Sequence, residues 1–476
     1  MKAGSIAKED QKASLDTTKR SSKKRKEVLS KEPEKAGEKL EKQRLRNHTA
    51  SAQTQNRAER GAKGPTEQGR KQKKQKNVKA EVESNTQDSL EEKVKESPQK
   101  AGKKRKSIDV EEDESRPRRK RKTAAEKEQE AMPLLPRTPG LAMKIGAHVS
   151  IAKGVQNAVI NSVHVGGNAF ALFLKSHRKW ENPQINLADA KLFREYCQRE
   201  ELDARKHVLP HGSYLMNLAN ADADKQKQAY DCFIDDLKRC EILGIGLYNW
   251  HPGSTLGQEK QTALENIARA INRAHKETTF VKTVLENMAG HGNIIGSSFE
   301  DLAGIISLVT DKSRVGVCLD TCHAFAAGYD LRTEEAYQKT MQQFDDIVGL
   351  KYLSALHIND SKTPFGAKRD LHQNIGLGFL GLEPFRIVVN DDRLADRPLI
   401  LETPQSDQRV WADEVKLLEW CIGKSGREED FLSKARELSD RGLEERAKAT
   451  AFQEKKAAKG SKKRRSSSTS DDSQPL

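Results

Sequence analysis

The sequence predicts an α/β protein, a (β/α)8 TIM barrel with disordered basic N-terminal and C-terminal tails. Short apolar runs alternate with longer amphipathic segments, and eight such runs recur over about 280 residues. Most of these runs end in His, Asp or Glu, at the positions that would meet on one face of a barrel. A doubly wound sheet is the structural alternative, but eight repeats favour closure.

Each apolar run has the length of a strand, and each amphipathic segment has the periodicity of a helix. The predicted strands are 143–148, 169–174, 207–211, 247–251, 283–286, 315–320, 353–357 and 398–402. The predicted helices between them include 188–199, 224–243, 261–274, 299–309, 333–348 and 413–420. Because strands and helices alternate, we expect a parallel sheet.

The two ends of the chain differ from its middle in charge and composition. Residues 1–140 carry 39 Lys and Arg against 24 Asp and Glu and contain no aromatic residue, so we expect them to be disordered. From about residue 431 the pattern indicates a helix and then a basic polar tail. We therefore predict a disordered tail at 1–140, a barrel domain at 141–430, and a helix with a disordered basic tail at 431–476.

Short Lys and Arg clusters lie in both tails, at 23–26, 103–106, 118–122 and 462–465. Such clusters are typical of segments that bind a nuclear import receptor or a nucleic-acid backbone, and we expect the protein in the nucleus. Acidic residues near the N-terminus argue against a typical mitochondrial presequence, although a mitochondrial fraction stays open.

The six cysteines form no CxxC pair and follow no secretory signal, which indicates a reduced intracellular protein. We expect Cys318 and Cys322, which flank Asp320, to be packed and free. No apolar run approaches the roughly 18–20 residues of a membrane span, so we expect no membrane partner. We also expect a monomer.

Nine residues of metal-binding type lie at or just beyond the ends of the predicted strands. They are His211, His251, Glu286, Asp320, His323, His357, Asp370, His372 and Glu402. Six of them end a strand, and we expect the other three, His323, Asp370 and His372, in the loops that follow. Five imidazoles and four carboxylates are too many for one zinc ion but enough for a cluster of two or three ions. Such a cluster indicates hydrolysis, and a phosphate is the expected target.

Polar motifs follow the predicted strands at 209–215 (LPHGSYL), 249–254 (NWHPGS), 285–290 (LENMAG) and 357–362 (HINDSK). The longest and most specific is 318–330 (CLDTCHAFAAGYD). With the opening GAHVS at 146–150, the segment 143–425 resembles the endonuclease IV family of apurinic/apyrimidinic (AP) DNA repair enzymes. The basic tails resemble those of the fungal type.

The resemblance implies a centre of three zinc ions, one of which manganese could replace. By this resemblance the first zinc is bound by His211, His251 and Glu286, and Glu286 also binds the second zinc with Asp320, His357 and Glu402. The third zinc is bound by His323, Asp370 and His372. Glu286 would act in catalysis as the bridging ligand that positions a zinc-bound hydroxide, and Glu402 would act beside it. Imidazole and carboxylate are ligands that suit zinc.

The resemblance also implies that Arg178, Tyr214 and Leu215 enter the minor groove and hold a flipped-out abasic nucleotide. Three lysines, Lys175, Lys179 and Lys362, could contact phosphates or simply be solvated.

Other polar residues are expected to support the centre or to lie outside it. Asn287, Asn359 and Asp360 lie beside ligands and could either orient them or simply cap loops. We expect His148 to line the site without binding metal. The remaining histidines with no such placement, His164, His177, His275 and His291, are interpreted as structural or exposed.

The chain departs from the family at Leu371, where Arg is common, at Leu377, where an acidic residue is frequent, and at Ser176-His177, which replaces an amide-rich pair. No predicted zinc ligand is lost.

The resulting hypothesis is a zinc-dependent hydrolase that acts on double-stranded DNA in base excision repair. It would incise on the 5′ side of abasic sites, leave a 3′ hydroxyl and a 5′ deoxyribose phosphate, and trim blocked 3′ ends. A metal-dependent sugar isomerase shares the barrel and the ligand types but gives no reason for Arg178, Tyr214 and Leu215. A non-catalytic DNA- or chromatin-binding protein gives no reason for nine ligands.

Overall fold

Eight parallel strands form the core of the protein in the computed structural model, which describes residues 132–467. The strands are β1 (Lys144–His148), β2 (Ala169–Leu172), β3 (Val208–Pro210), β4 (Leu247–Trp250), β5 (Lys282–Glu286), β6 (Val315–Asp320), β7 (Leu353–His357) and β10 (Pro398–Leu401). Their order is β3-β2-β1-β10-β7-β6-β5-β4. The two ends of this order meet where His211 and Asn249 form a parallel bridge, so the sheet is a nearly closed barrel. The predicted fold class is confirmed.

Both faces of the strands are buried, because one face fills the barrel and the other packs under helices. The interior cluster takes its residues from seven of the strands: Ala169, Ala171, Leu209, Leu247, Val284, Cys318, Ala355 and Ile400. Outward residues join the larger core with the helices. This double burial explains why the strands appear in the sequence as continuous apolar runs.

The helices are α1 (Asn157–His164), α2 (Leu187–Arg199), α3 (Ala204–His207), α4 (Ala223–Leu243), α5 (Lys260–Glu277), α6 (Phe299–Leu308), α7 (Thr321–Ala327), α8 (Glu334–Ile347), α9 (Glu383–Val389), α10 (Gln408–Cys421) and α11 (Glu429–Ser467). Side chains cap several of them; for example, Asn186 accepts hydrogen bonds from the first turn of α2, and Asp407 accepts one from Arg409 in α10. The Asp407 cap explains why α10 begins five residues before the predicted helix 413–420.

The long connection after β7 contains a second, two-stranded antiparallel sheet of β8 (Asp360–Ser361) and β9 (His372–Gln373). This corrects two expectations, because His372 lies in β9 and His323 lies in the first turn of α7, whereas both were expected in loops. Asp370 lies in a loop, as predicted.

The polypeptide outside the predicted barrel domain also makes ordered contacts. Before the barrel, the Leu134 amide donates to the His164 carbonyl at 2.9 Å, and the Thr138 hydroxyl donates to Glu419 at 2.7 Å. After it, α11 buries Phe431 and Leu438. The predicted domain boundaries stay predictions. The import clusters at 23–26, 103–106 and 118–122 lie outside the described residues, as does most of the predicted N-terminal tail.

All six cysteines are free and buried, which confirms the expectation for Cys318 and Cys322. Among the described helices, none is both long and apolar enough to cross a membrane.

Candidate metal centre

The nine predicted ligands lie together at the carboxyl-end face of the barrel, which we call the mouth. Three groups of potential ligand atoms form within it: His211, His251 and Glu286; Glu286, Asp320, His357 and Glu402; and Asp320, His323 and His372. The strand ends account for this convergence, because Glu286, Asp320 and His357 are the last residues of β5, β6 and β7. All three are fully buried.

The first group contains His211, His251 and Glu286. The Nε2 atoms of His211 and His251 lie 3.2 Å and 3.5 Å from the same oxygen, Oε2 of Glu286. The other ring nitrogen of His211, Nδ1, lies 2.7 Å from the Gly212 carbonyl oxygen. A carbonyl can only accept, so Nδ1 carries a proton and, in the neutral ring, Nε2 has a free lone pair.

The second group places His357 among three carboxylates. Its Nδ1 atom lies 3.0 Å from Glu286 Oε1, 3.1 Å from Glu402 Oε2 and 3.9 Å from Asp320 Oδ2. Glu286 therefore presents Oε1 to this group and Oε2 to the first group. This is the geometry that a bridging carboxylate requires.

The third group lies between α7 and β9. His323 Nε2 and His372 Nε2 lie 3.0 Å and 3.2 Å from Asp370 Oδ1, and His372 Nε2 lies 3.6 Å from Asp320 Oδ2. Asp370 is 45% exposed and forms the rim of the mouth. The Nδ1 atoms of His323 and His372 face the carbonyls of Asn287 (2.9 Å) and Glu402 (3.3 Å).

These residues fit a cluster of metal ions. Three imidazoles have their Nδ1 proton directed to a backbone carbonyl, which leaves Nε2 with a lone pair aimed at a carboxylate oxygen. Two such groups repel each other unless a cation lies between them or the ring is protonated. Within the described residues, the buried Nε2 atoms of His323 and His372 make no well-aligned hydrogen bond, although each faces an Asp370 oxygen at 3.0–3.2 Å, as expected for atoms that bind metal.

The electrostatics of the centre hold the pKa values of three of its carboxyl groups, Glu286, Asp370 and Glu402, well below their usual range. Burial tends to raise the pKa of Glu286, but the positive charge of His357 and His251 outweighs it and holds that pKa well below its usual range. Burial tends to lower the pKa of His372, but Asp320 and Asp370 raise it to about 9. These three carboxylates are therefore available to bind cations at neutral pH.

Comparison with known proteins gives the family. Residues 161–421 match the family model described as a xylose isomerase-like TIM barrel. The chain is 50% identical over 301 residues to the apurinic-apyrimidinic endonuclease 1 of Schizosaccharomyces pombe, a match that covers 63% of this chain and 88% of that protein. It is 48% identical over 275 residues to the probable endonuclease 4 of Campylobacter curvus, covering 58% and 96%. The chain belongs to the endonuclease IV family of AP endonucleases.

A solved structure of the same family agrees. The crystal structure of endonuclease IV from Thermus thermophilus aligns with a TM-score of 0.52 and 33% sequence identity, covering 58% of this chain and 98% of that one. As a member of the endonuclease IV family, the protein is an enzyme of the hydrolase class.

Two asparagines hold ligands of this endonuclease IV-type centre in place, as predicted. Asn359 donates from Nδ2 to Asp320 Oδ2 at 2.7 Å and accepts from the Glu402 amide at 2.8 Å. Asn287 accepts from the Asp320 amide at 2.6 Å. Asp360 follows the other alternative, loop capping, because its carboxylate accepts from backbone amides at Ser361 and at 376–380 and so fixes that loop, not a ligand.

Two further residues belong to the centre. His148 lines it as expected, with Nδ1 2.8 Å from Glu402 Oε1. Asn249 was not predicted from the sequence; its side chain is fully buried and donates from Nδ2 to Glu286 Oε2 at 2.5 Å. The available signal was an amide near the end of the otherwise apolar strand β4, two residues before a ligand.

The residues predicted to recognise DNA lie at the same mouth. Tyr214 and Leu215 are 57% and 42% exposed, and the Tyr214 ring lies 5.2 Å from the His211 ring. Arg178 is exposed and donates to His177 at 3.3 Å. The His177 ring lies 4.2 Å from Phe173, which belongs to the aromatic cluster around Tyr214, so His177 is closer to the site than we expected.

For Lys175 both interpretations are wrong, because its ammonium is neither solvated nor free to reach a phosphate. Its ammonium is buried and donates to Asp235 at 2.6 Å and to the Cys232 carbonyl at 3.0 Å, and it lies 3.2 Å from Asp236. Lys179 is exposed and Lys362 is half-buried, and for both the phosphate contact stays a prediction.

Proposed function

We propose that this endonuclease IV homologue is a zinc-dependent enzyme that hydrolyses the phosphodiester 5′ to abasic sites in duplex DNA. The observation that carries the proposal is the convergence of the nine predicted ligands directly beside the exposed Tyr214 and Leu215. Eight of them form three linked groups, and the ninth, Asp370, lies 3.0 Å from His323 at the rim. Relatives about 50% identical to the chain are named apurinic-apyrimidinic endonucleases, which supports the same substrate here.

The residues of each group define what they would hold. His211, His251 and Glu286 would hold one ion. Glu286 would also bind a second ion, together with Asp320, His357 and Glu402. The third ion would lie between His323, Asp370 and His372. Bound zinc supplies a hydroxide nucleophile at neutral pH and neutralises charge on the attacked phosphate, and manganese could occupy one position.

The protein residues orient this chemistry. Glu286 is fixed by Asn249 and two imidazoles, so it would position the nucleophile between two groups. Glu402 is fixed by His148 and, through its amide, by Asn359. The expected products are a 3′ hydroxyl and a 5′ deoxyribose phosphate, and the same centre would trim blocked 3′ ends.

The substrate preference rests on the exposed residues at the mouth. An abasic nucleotide has lost its stacking and pairing, so extruding it from the duplex costs less than extruding a normal nucleotide. Tyr214 and Leu215 would fill the gap in the stack, and Arg178 would enter the minor groove. We further propose that the enzyme is a monomer and acts in the nucleus. An import receptor that binds the basic clusters would carry it there, and a smaller fraction could act in mitochondria.

Incubation with a duplex that carries one abasic analogue tests the proposal, with the intact duplex as control. We expect incision only 5′ to the lesion, and a 3′ end that a polymerase extends. Metal analysis of the purified protein should find about three zinc ions per chain, in line with the three ligand groups. No incision of the lesion duplex by the metal-replete protein would overturn the proposal.

A sugar isomerase is the second candidate, because the matched family model is described as xylose isomerase-like. Turnover of aldoses without any DNA cleavage would favour it. The identity to endonucleases and the exposed Tyr214 and Leu215 argue against it.

A further inference from the structure

The C-terminal helix α11 runs from the amino-end face of the barrel towards the mouth. The preceding helix α10 follows β10, so it leaves the mouth and ends at the opposite face. There α11 begins, where the Phe431 ring lies 6.2 Å from Trp420 near the end of α10. The family model ends at residue 421, before α11 begins, and the matched segments of the bacterial relatives, 275 to 278 residues, have about the length of the barrel alone.

Successive residues of α11 contact the loop that carries two predicted metal ligands. Leu438 packs against Gly376, where an added Cβ would lie 2.8 Å from the leucine Cδ1. About two turns later, Glu445 pairs with Gln373, and Arg446 donates to the Leu377 carbonyl at 2.8 Å.

The last described contact of the helix lies beside the third ligand group. The Arg369 guanidinium lies 5.3 Å from the centre of the Phe452 ring, and Arg369 directly precedes the rim residue Asp370. From Leu438 to Phe452 the helix has therefore advanced along the loop to the rim of the mouth.

Beyond this contact the helix is strongly basic. It continues from 453 to Ser467, which at 1.5 Å per residue is about 22 Å. This stretch contains one acidic residue, Glu454, and seven basic residues: Lys455, Lys456, Lys459, Lys462, Lys463, Arg464 and Arg465. We call residues 455–467 the basic arm.

The basic arm begins across the mouth from the residues predicted to enter the DNA. In the ring of eight strands, β7 stands four places from β3, which is the opposite position. Tyr214 and Leu215 follow β3, whereas the loop that α11 contacts follows β7. A duplex bound across the mouth would extend past both sides.

We propose that the basic arm binds the phosphates of duplex DNA that flank the abasic site. The proposal rests on the proposed function, because it assumes that a duplex lies on the mouth. The interaction is electrostatic and reads no sequence, so it would add affinity and salt dependence without taking part in the chemistry.

Charge removal with a matched control tests the arm. One variant changes Lys459, Lys462, Lys463, Arg464 and Arg465 to Gln, and the control changes the five basic residues of cluster 118–122 to Gln. Both remove five positive charges, and neither changes a residue of the described contacts between α11 and the loop after β7. We expect the arm variant to weaken binding to the lesion duplex about tenfold or more and to reduce the log–log salt slope by about 0.9 for each phosphate that the arm no longer neutralises.

Tethered cleavage locates the arm on the DNA. Because all six native cysteines are buried, an iron chelate can be attached selectively to Lys459→Cys. The control is Lys351→Cys, an exposed position two residues before β7 at the amino-end face. We expect strand scission on one flank of the lesion from position 459 and none from position 351.

The outcomes separate the arm from the proposed function. Three outcomes would overturn the DNA-binding role of the arm while the wild type still incises. They are unchanged affinity and salt slope in the arm variant, an equal loss in the control variant, and no scission from position 459. If an import receptor were the only partner of the arm, the arm variant would bind the lesion duplex with the same affinity and salt slope as the wild type. Failure of the wild type to incise would overturn the proposed function instead.

Discussion

Glu286 is the residue on which the metal centre depends most. It is fully buried and places one carboxylate oxygen in each of two ligand groups. We expect Glu286→Gln to lower kcat by more than about 100-fold. Removing a residue that only orients a metal ligand typically costs about 10- to 100-fold, and the loss of the ligand itself should cost more. Binding to the uncut lesion duplex should change little. The control is Glu419→Gln, a largely buried glutamate outside the centre, and near-normal incision by Glu286→Gln would remove Glu286 from the bridging role.

Asn249 acts on the same carboxylate from outside the ligand set. Its Nδ2 donates to Glu286 Oε2, the oxygen that His211 and His251 also face. Asn249→Ala should lower zinc affinity or activity by about 10- to 100-fold. Asn266→Ala removes another buried amide, one that donates to the Ala219 carbonyl and hydrogen-bonds no predicted ligand, and should leave zinc content unchanged. Equal zinc titrations for the two variants would contradict the assignment.

At the residue scale, what the sequence could predict depended on whether a residue ends a strand. Glu286, Asp320 and His357 stood out because an apolar run stops at each of them. Asn249 did not, because an amide inside a strand is more often an ordinary buried polar group. Lys175 resembled a solvated charge, since its partners Asp235 and Asp236 are 60 and 61 positions away in the sequence.

At the scale of elements, length and amphipathicity decided which helices could be predicted. Helices such as α4, with 21 residues, bury one face and expose another, so their periodicity is visible. Helix α7 has seven residues, and the first six are all buried, so its sequence has no polar face. This is why His323 was expected in a loop, and β9, with two residues, has too few positions to show any pattern.

The Lys175 ion pair connects α4 to the loop that carries Arg178. Burial raises the pKa of Asp236 to about 6, and Lys175 limits that rise. Lys175→Met would leave a buried carboxylate without its cation and should cost about 3 kcal/mol of unfolding free energy. In urea unfolding, Lys179→Met, an exposed change in the same loop, should stay within about 0.5 kcal/mol of the wild type.

Adding Asp236→Asn tests the cause of that loss. The double variant Lys175→Met/Asp236→Asn should recover much of the stability, because no uncompensated charge remains. Equal stability of Lys175→Met and Lys179→Met would show that the ion pair contributes nothing.

At the scale of the whole molecule, a buried histidine makes stability sensitive to acid. Burial, with the charge of Arg314, lowers the pKa of His275 to about 4, against 6.5 in the unfolded chain. The ring is therefore neutral in the folded state, so its contribution is fully present above pH 6.5 and is lost as the pH falls towards 4. At about pH 5 the loss should be about 1–2 kcal/mol.

A comparison with His275→Gln isolates this contribution. Between about pH 7.5 and pH 5 the variant should lose about 1–2 kcal/mol less unfolding free energy than the wild type, because acid effects on the metal centre are common to both proteins. Identical pH dependence in urea unfolding would contradict the assignment.

Metal removal should destabilise the whole barrel, because the centre joins residues from six of its strands. His211, Glu286, Asp320, His357 and Glu402 lie at or directly beyond the ends of β3, β5, β6, β7 and β10, and His251 directly follows β4. Without cations their carboxylates are buried close together, and several imidazole lone pairs face them. Ions that bind only the folded state at about 1,000 times their Kd contribute about 4 kcal/mol.

For a barrel of this size, that contribution corresponds to a fall in Tm of about 8–16 °C in the chelated protein. Calorimetry before and after chelation measures it, and returning zinc should restore the Tm. Returning magnesium should not, because magnesium prefers oxygen ligands and five of the nine predicted ligands are imidazoles. An unchanged Tm after verified removal of the metal would mean that the nine residues form a stable polar cluster on their own, and the centre would then have no structural dependence on cations.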